Sequence, residues 1–159
     1  MSKKKKQEKE RLPRLNLYTD GSVSTRGVST GGWAFVLTDE YENVLHIAYD
    51  KKENTTISRM ELVAIREGVL HIIENYPNHY TQVHSDSMYA VKSINKWMHK
   101  WKYQNWETPD GEPRKHADIF KVIERINKKH KIYYKHVRSH SGNKFNDLAD
   151  EYANIGRTK

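Results

Sequence analysis

Four acidic residues of this chain occupy positions from which their carboxylates could act together: Asp20, Glu61, Asp86 and Asp147. Each also has a purely structural explanation. Asp20 could form a turn with Gly21, and Glu61 could complete a capping box. Asp147 could simply be an acid that is stabilised by the partial positive charge at a helix N-terminus. If the four carboxylates converge, they would suit hard, oxygen-preferring cations, and the absence of cysteine excludes thiolate sites. Two such ions about 3.5–4 Å apart would support an in-line displacement at phosphorus.

The elements that must position these acids are predicted as five strands and several helices. Strand patterns cover 14–20, 32–37, 44–49, 80–85 and 132–137, and the Asp20–Gly21 pair is predicted as the turn that ends the first strand. The short connections between the first three predict an antiparallel meander. A helical segment separates the third strand from the fourth, and another precedes the fifth, which favours parallel neighbours through right-handed crossovers. Asp20 and Asp86 would then share the carboxyl edge of the sheet.

Helix signals place the other two acids. Ser58 is predicted as the N-cap of a helix that ends at Pro77, with Glu61 as the reciprocal half of its capping box. Ser87 is predicted to cap a helix from Met88 to about residue 97. Further helical stretches are predicted over 98–106, about 119–126 and 145–155, the last with Asp147 in its first turn.

Charge and composition indicate a soluble, nucleic-acid-binding protein with one domain. The net charge is +8, and residues 92–102 contain four lysines and no acid. Residues 1–14 contain seven Lys/Arg and two Glu, so residues 1–12 are interpreted as a basic disordered arm. Two basic segments on a nearly neutral body favour a polyanionic partner. No apolar run reaches the roughly 18 residues of a membrane span, so a cytoplasmic location is expected.

The blocks that contain the acids closely resemble the motifs of the type 1 ribonuclease H family. They match in order over about residues 13–155: Tyr18-Thr19-Asp20-Gly21-Ser22, Arg59-Met60-Glu61-Leu62, Ser85-Asp86-Ser87, and His140-Ser141-Gly142-Asn143 followed by Asp147-Leu148-Ala149. The resemblance implies an α/β fold with a five-stranded mixed sheet, in which strands 4 and 5 run parallel to strand 1. It also implies a catalytic domain over 13–155, a short tail over 156–159, and monomeric behaviour.

By the same resemblance, the catalytic and metal-binding acids are Asp20, Glu61, Asp86 and Asp147. His140 matches a mobile histidine that aids proton transfer or product release. The resemblance further implies two Mg²⁺ ions, with Mn²⁺ able to substitute. The implied substrate is the RNA strand of an RNA/DNA hybrid, cut to leave 5′-phosphate and 3′-hydroxyl ends.

Several residues are candidates for binding that substrate. Recognition of 2′-hydroxyls requires polar groups in the minor groove, for which Ser22 and Ser58 are candidates, and Thr56 and Arg26 are candidates for a phosphate of the DNA strand. Ile57 and Met88 stand where the family often has polar residues. The segment 92–106 resembles the basic protrusion of some members, with contacts expected from Lys92, Lys96, Lys100, Trp101 and Lys102. Tryptophans four residues apart are equally typical of core anchors.

Two other functions are compatible with the sequence. One is a different nuclease of the same fold, such as a resolvase- or integrase-like enzyme that cuts DNA. The other is a non-catalytic module that binds hybrids. The Arg59-to-Leu62 block and the lysine-rich segment favour the ribonuclease, and the presence of all four acids argues against a module that has lost catalysis.

Overall fold

The computed structural model describes residues 12–24 and 29–159. Most of the predicted basic arm over 1–12, and the predicted phosphate ligand Arg26, lie outside these residues. None of the helices in the described part of the chain combines the length and apolar character that crossing a membrane requires.

The described residues form one mixed sheet with the strand order β3-β2-β1-β4-β5. The strands are β1 (Arg14–Val23), β2 (Thr30–Asp39), β3 (Val44–Glu53), β4 (Tyr80–Ser85) and β5 (Ile132–His136). β1, β2 and β3 are antiparallel neighbours, whereas β4 pairs parallel with both β1 and β5. The predicted fold class is therefore confirmed.

β1 does not end at the Asp20–Gly21 pair, and the predicted turn there is wrong. Asp20 pairs with Ala34 of β2, and the antiparallel ladder continues to Val23. The parallel ladder with β4 stops one residue before Asp20, at the pair Thr19 and Ser85. Asp20 consequently lies inside a strand on one side but at the open carboxyl edge of the sheet on the other.

The helices are α1 (Ile57–Asn75), α2 (Met88–Lys92), α3 (Met98–Tyr103), α4 (Ala117–Lys129) and α5 (Lys144–Arg157). A π-helical turn over Ser93–Trp97 joins α2 to α3. α5 continues two residues beyond the predicted end at residue 155, and Gly156 is buried. The helix therefore extends into the segment predicted as a short tail over 156–159.

The predicted N-cap of α1 is also wrong. Thr56, not Ser58, caps the helix, because its side-chain oxygen accepts a hydrogen bond from the amide of Arg59 at 3.3 Å. The helix thus begins two residues earlier than predicted, and Glu61 lies in its second turn. Glu61 therefore makes no capping box and its carboxylate is available for another role.

The two faces of the sheet are covered by different helices. One large core joins Leu15 and Leu17 of β1 to Ile65 of α1 and Phe120 of α4. On the opposite face, Tyr18 packs against α5 in a smaller cluster with Val36, Phe145 and Ala149. Side chains alternate between faces along a strand, so Tyr18, Asp20 and Ser22 share the α5 side of β1. Asp20 is thereby brought within reach of α5.

Candidate active site

Three carboxylates meet at the carboxyl edge of the sheet. Asp20 of β1, Glu61 of α1 and Asp86 after β4 each offer one oxygen, and these oxygens all lie within 4.8 Å of one another. Asp20 and Glu61 are 3% and 6% exposed, whereas Asp86 is half-buried. The convergence predicted for these three acids is thus present.

Gly21 allows α1 to approach β1 closely enough to form this group. A Cβ atom at Gly21 would lie 2.7 Å from the amide nitrogen of Glu61 and 2.8 Å from the Cβ of Met60. Real Cβ atoms do not pack that closely, so any side chain here would push the first turns of α1 away. The glycine after Asp20 therefore serves close packing between elements and not a turn.

Burial and mutual repulsion raise the pKa values of two of these carboxyl groups, those of Asp20 and Glu61. Burial, followed by the negative charge of Asp86 and a hydrogen bond with Asp150, raises the pKa of Asp20 to about 8. The Gly21 amide opposes this shift by donating to Asp20 Oδ1 at 2.9 Å. Burial and the charges of Asp20 and Asp86 raise the pKa of Glu61 well above its usual value. A cation would reverse these shifts, because it stabilises the ionised carboxylates.

The donor set fits a hard divalent cation. Glu61 Oε2 is a buried oxygen with no hydrogen-bond partner among the described residues. An unpaired buried polar atom is costly, so this oxygen is expected to have a ligand in the working protein. Three carboxylates with one unpaired oxygen match the oxygen coordination that Mg²⁺ and Mn²⁺ prefer.

The fourth acid beside this group is Asp150, and the predicted Asp147 is not part of the group. Asp147 lies in the first turn of α5, and its side chain is exposed. Asp150 is half-buried, and its carboxyl group shares a hydrogen bond with that of Asp20. The helical repeat gives the reason: Asp150 lies four residues after the buried Asn146 and so near the side of α5 that packs on the sheet, whereas Asp147 is exposed.

The loop over 137–143 reaches the acids through Asp86. Ser139 Oγ donates to Asp86 Oδ2 at 2.9 Å, and His136 Nε2 donates to the main-chain oxygen of Asp86 at 3.2 Å. His140 follows Ser139, is exposed, and has a positive φ of 51°. Ser139 is not among the site residues predicted from the sequence, because its contact depends on the path of this loop.

Two predicted substrate contacts have hydroxyl groups that the fold already uses. Ser22 Oγ donates to Asn154 Oδ1 at 2.6 Å and accepts from Arg157 Nε at 3.0 Å. The Thr56 hydroxyl caps α1, as described above. Ser58, beside Thr56, is partly exposed. Direct contacts with nucleic acid remain a prediction for these three residues.

The four lysines of the segment 92–106 differ in their surroundings. Lys92, Lys96 and Lys100 are exposed. Lys102 instead forms an ion pair with Glu124 of α4 at 2.9 Å.

The tryptophans of this segment also differ in their surroundings. The ring of Trp101 packs edge-on against Phe120, with centroids 5.3 Å apart, and the guanidinium of Arg114 lies 5.0 Å from its centre. Trp97 is 38% exposed. Trp101 therefore anchors the segment, and phosphate binding by the three exposed lysines stays a prediction.

Comparisons with known proteins agree with this arrangement. The family model described as RNase H matches residues 13–158. A protein named ribonuclease H from Pseudomonas putida (strain W619) is 35% identical over 142 residues, which cover 89% of this chain and 92% of the relative.

Solved structures share the fold. A type 1 RNase H with the type 2 active-site motif, LC9-RNase H1, superposes with a TM-score of 0.82 at 20% identity and covers 92% of this chain and 73% of that one. LC11-RNase H1, solved in complex with an RNA/DNA hybrid, has a TM-score of 0.69 at 19% identity and covers 91% and 96%. With the family model and the relative taken together, the chain belongs to the ribonuclease H family, whose members are metal-dependent hydrolases.

Proposed function

We propose that this chain hydrolyses the RNA strand of RNA/DNA hybrids and leaves 5′-phosphate and 3′-hydroxyl ends. The observation that carries the proposal is the group of Asp20, Glu61 and Asp86, in which one oxygen of each carboxylate lies within 4.8 Å of the others on a ribonuclease H fold. Relatives named ribonuclease H and a structural neighbour solved with an RNA/DNA hybrid support the choice of substrate.

Asp20, Glu61 and Asp86 would hold two Mg²⁺ ions, or Mn²⁺ in their place. Bound there, such ions would lower the pKa of a water molecule and neutralise charge on the reacting phosphate. The Gly21 amide fixes Asp20 Oδ1, which orients this carboxylate before any cation arrives. Asp150 would have the role predicted for Asp147, because its carboxyl group is hydrogen-bonded to that of Asp20.

The proposed reaction breaks one phosphodiester bond. Water oxygen attacks phosphorus in line with the 3′ oxygen of the preceding ribonucleotide, the bond to that oxygen breaks, and the oxygen takes up a proton. The exposed imidazole of His140 would carry a proton between the site and solvent, or assist product release. Lys92, Lys96 and Lys100 would hold phosphates of the hybrid away from the cut.

A substrate panel tests this function. The full chain is incubated with an end-labelled RNA/DNA hybrid, single-stranded RNA or duplex DNA, each with Mg²⁺ or with EDTA. Cleavage of RNA only in the hybrid, and only with Mg²⁺, is the expected result. Cleavage of duplex DNA would instead indicate a DNA nuclease of the same fold, and tight binding without cleavage a non-catalytic module.

A further inference from the structure

We infer that Ser139 is a positioning residue that couples the loop carrying His140 to the carboxylate of Asp86. The inference rests on the proposed function and adds a residue to it. Its basis is one hydrogen bond, in which Ser139 Oγ donates to Asp86 Oδ2 at 2.9 Å. Ser139 connects two parts of the site that are 53 residues apart in sequence.

Asp86 is the least enclosed acid of the group, so it needs a partner to fix its orientation. Asp20 and Glu61 are almost fully buried, and Asp20 is held by the Gly21 amide. Asp86 is half-buried, and among the described residues Ser139 supplies the hydrogen bond to its carboxylate. A hydroxyl on Oδ2 limits rotation of the carboxylate and leaves Oδ1 for a cation. Groups that hold metal ligands in this way strengthen metal binding.

The same contact docks the loop over 137–143 at the site. The Val137 amide donates to the main-chain oxygen of Ser85 at 2.9 Å, which continues the pairing of β5 with β4. Beyond Ser139 the loop turns sharply, with positive φ values of 51° at His140 and 86° at Gly142. Ser139 is therefore the last contact with the acids before the chain turns at His140. Loss of its hydroxyl would release both the carboxylate and the histidine.

Calorimetry of Mg²⁺ binding to the full chain, without nucleic acid, tests the first half of this inference. Ser139→Ala is expected to weaken Mg²⁺ binding by about 10-fold or more, since loss of such a supporting contact typically costs about 10- to 100-fold. Ser139→Thr retains the hydroxyl and should restore most of the affinity. Unchanged affinity in Ser139→Ala would overturn the inference.

Ser141→Ala is the matched control. Ser141 is also exposed in the same loop, but its hydroxyl donates to the main-chain oxygen of Arg138 at 2.8 Å. The Ser141→Ala variant should bind Mg²⁺ with nearly the wild-type affinity. An equal loss in Ser141→Ala and Ser139→Ala would mean that general loosening of the loop causes the effect, which also overturns the inference.

A double-mutant cycle with His140→Ala tests the coupling to the histidine. Single-turnover cleavage of the hybrid is measured for the wild type, both single variants and the double variant at saturating Mg²⁺. The double variant should be hardly slower than His140→Ala, because once the imidazole is removed Ser139 has no histidine left to position. Additive losses would overturn the coupling. A wild-type protein that does not cut the hybrid would refute the proposed function, while the calorimetry would still decide the role of Ser139 in metal binding.

Discussion

The carboxyl group of Asp150, on the last helix, shares a hydrogen bond with that of Asp20 on the central strand. Glu61 reaches the same aspartate from α1, which packs on the opposite face of the sheet. Asp20 is therefore enclosed by acids from both faces. This arrangement concentrates negative charge around one strand residue and makes Asp20 the centre of the site.

The position of Asp150 predicts that it, and not Asp147, contributes to catalysis. Asp150→Asn should reduce single-turnover cleavage of the hybrid by roughly 10²-fold or more, the usual order for loss of one electrostatic group in a site. Asp147→Asn is the matched control, because it makes the same chemical change one turn earlier on an exposed part of α5. It should cleave at nearly the wild-type rate. The reverse ranking of the two variants would reinstate the assignment made from the sequence.

The raised pKa of Asp20 predicts how the metal-free protein responds to pH. Its folded-state pKa of about 8 exceeds the ordinary value of 3.8. The contribution of the protonated Asp20 carboxyl to the free energy of unfolding is therefore fully present at acidic pH. It is lost as the pH rises towards and through about 8. Asp20→Asn has no such proton to lose and should be more stable than the wild type at pH 8, by roughly 1–3 kcal/mol.

Thermal unfolding in EDTA at pH 5 and pH 8 checks this prediction. The advantage of Asp20→Asn should be small at pH 5 and larger at pH 8, and addition of Mg²⁺ should reduce it by stabilising the wild type. Asp147→Asn should have the same unfolding temperature as the wild type at both pH values. An advantage of Asp20→Asn that does not depend on pH would show that ionisation of this carboxyl is not its cause.

His84 predicts a separate loss of stability in acid. Burial, followed by the charges of Lys135 and Arg14, lowers the pKa of His84 to about 4, and its ring stacks on Tyr18 at 4.5 Å. The stability that depends on its neutral form is present above the ordinary value of 6.5 and is lost as the pH falls towards 4.

Urea unfolding at pH 7 and pH 4.5 measures this loss. His84→Gln should be less stable than the wild type at pH 7, but its stability should decrease less on acidification. His99→Gln, a substitution of an exposed histidine, serves as the control and should retain the wild-type dependence on pH. If His84→Gln shows the same decrease as the wild type, another group is responsible for acid sensitivity.

The exposed lysines predict a salt-dependent interaction with the hybrid. Replacement of Lys92, Lys96 and Lys100 by Gln should weaken binding and reduce the slope of log K against log salt by about 2–3. Lys102→Gln should have a smaller effect, because Lys102 is already paired with Glu124 at 2.9 Å.

Fluorescence anisotropy in EDTA, at several salt concentrations, measures these slopes without cleavage. Lys128→Gln is a suitable control, since Lys128 is also paired with Glu124, at 3.2 Å. An unchanged slope in the triple variant would remove this surface from the proposed binding site.

The sequence predicted the five-stranded mixed sheet and the convergence of Asp20, Glu61 and Asp86, because alternation identifies the strands and crossover rules indicate which of them run parallel. It failed where the outcome depends on packing between distant elements. The Asp20–Gly21 pair has the composition of a turn, yet Gly21 is required for the approach of α1. Ser58 and Glu61 have the spacing of a capping box, but Thr56 is the N-cap of α1.

The choice between Asp147 and Asp150 shows a signal that was available in the sequence. Phe145, Ala149 and Ala153 recur every four residues and mark the side of α5 that packs on the sheet. Asp150 borders this stripe, whereas Asp147 does not. Helical periodicity alone would therefore have favoured Asp150. The contact of Ser139 with Asp86 had no such signal, since an irregular loop places it.

Single-turnover cleavage of an RNA/DNA hybrid by the wild type and by Asp20→Asn tests the central claim most directly. Hybrid binding by both proteins is measured in EDTA, so that a loss of cleavage cannot be due to a loss of binding. Both proteins should bind the hybrid, and only the wild type should cut its RNA strand when Mg²⁺ is added. Cleavage by Asp20→Asn at the wild-type rate would show that the acid group around Asp20 does not perform the reaction.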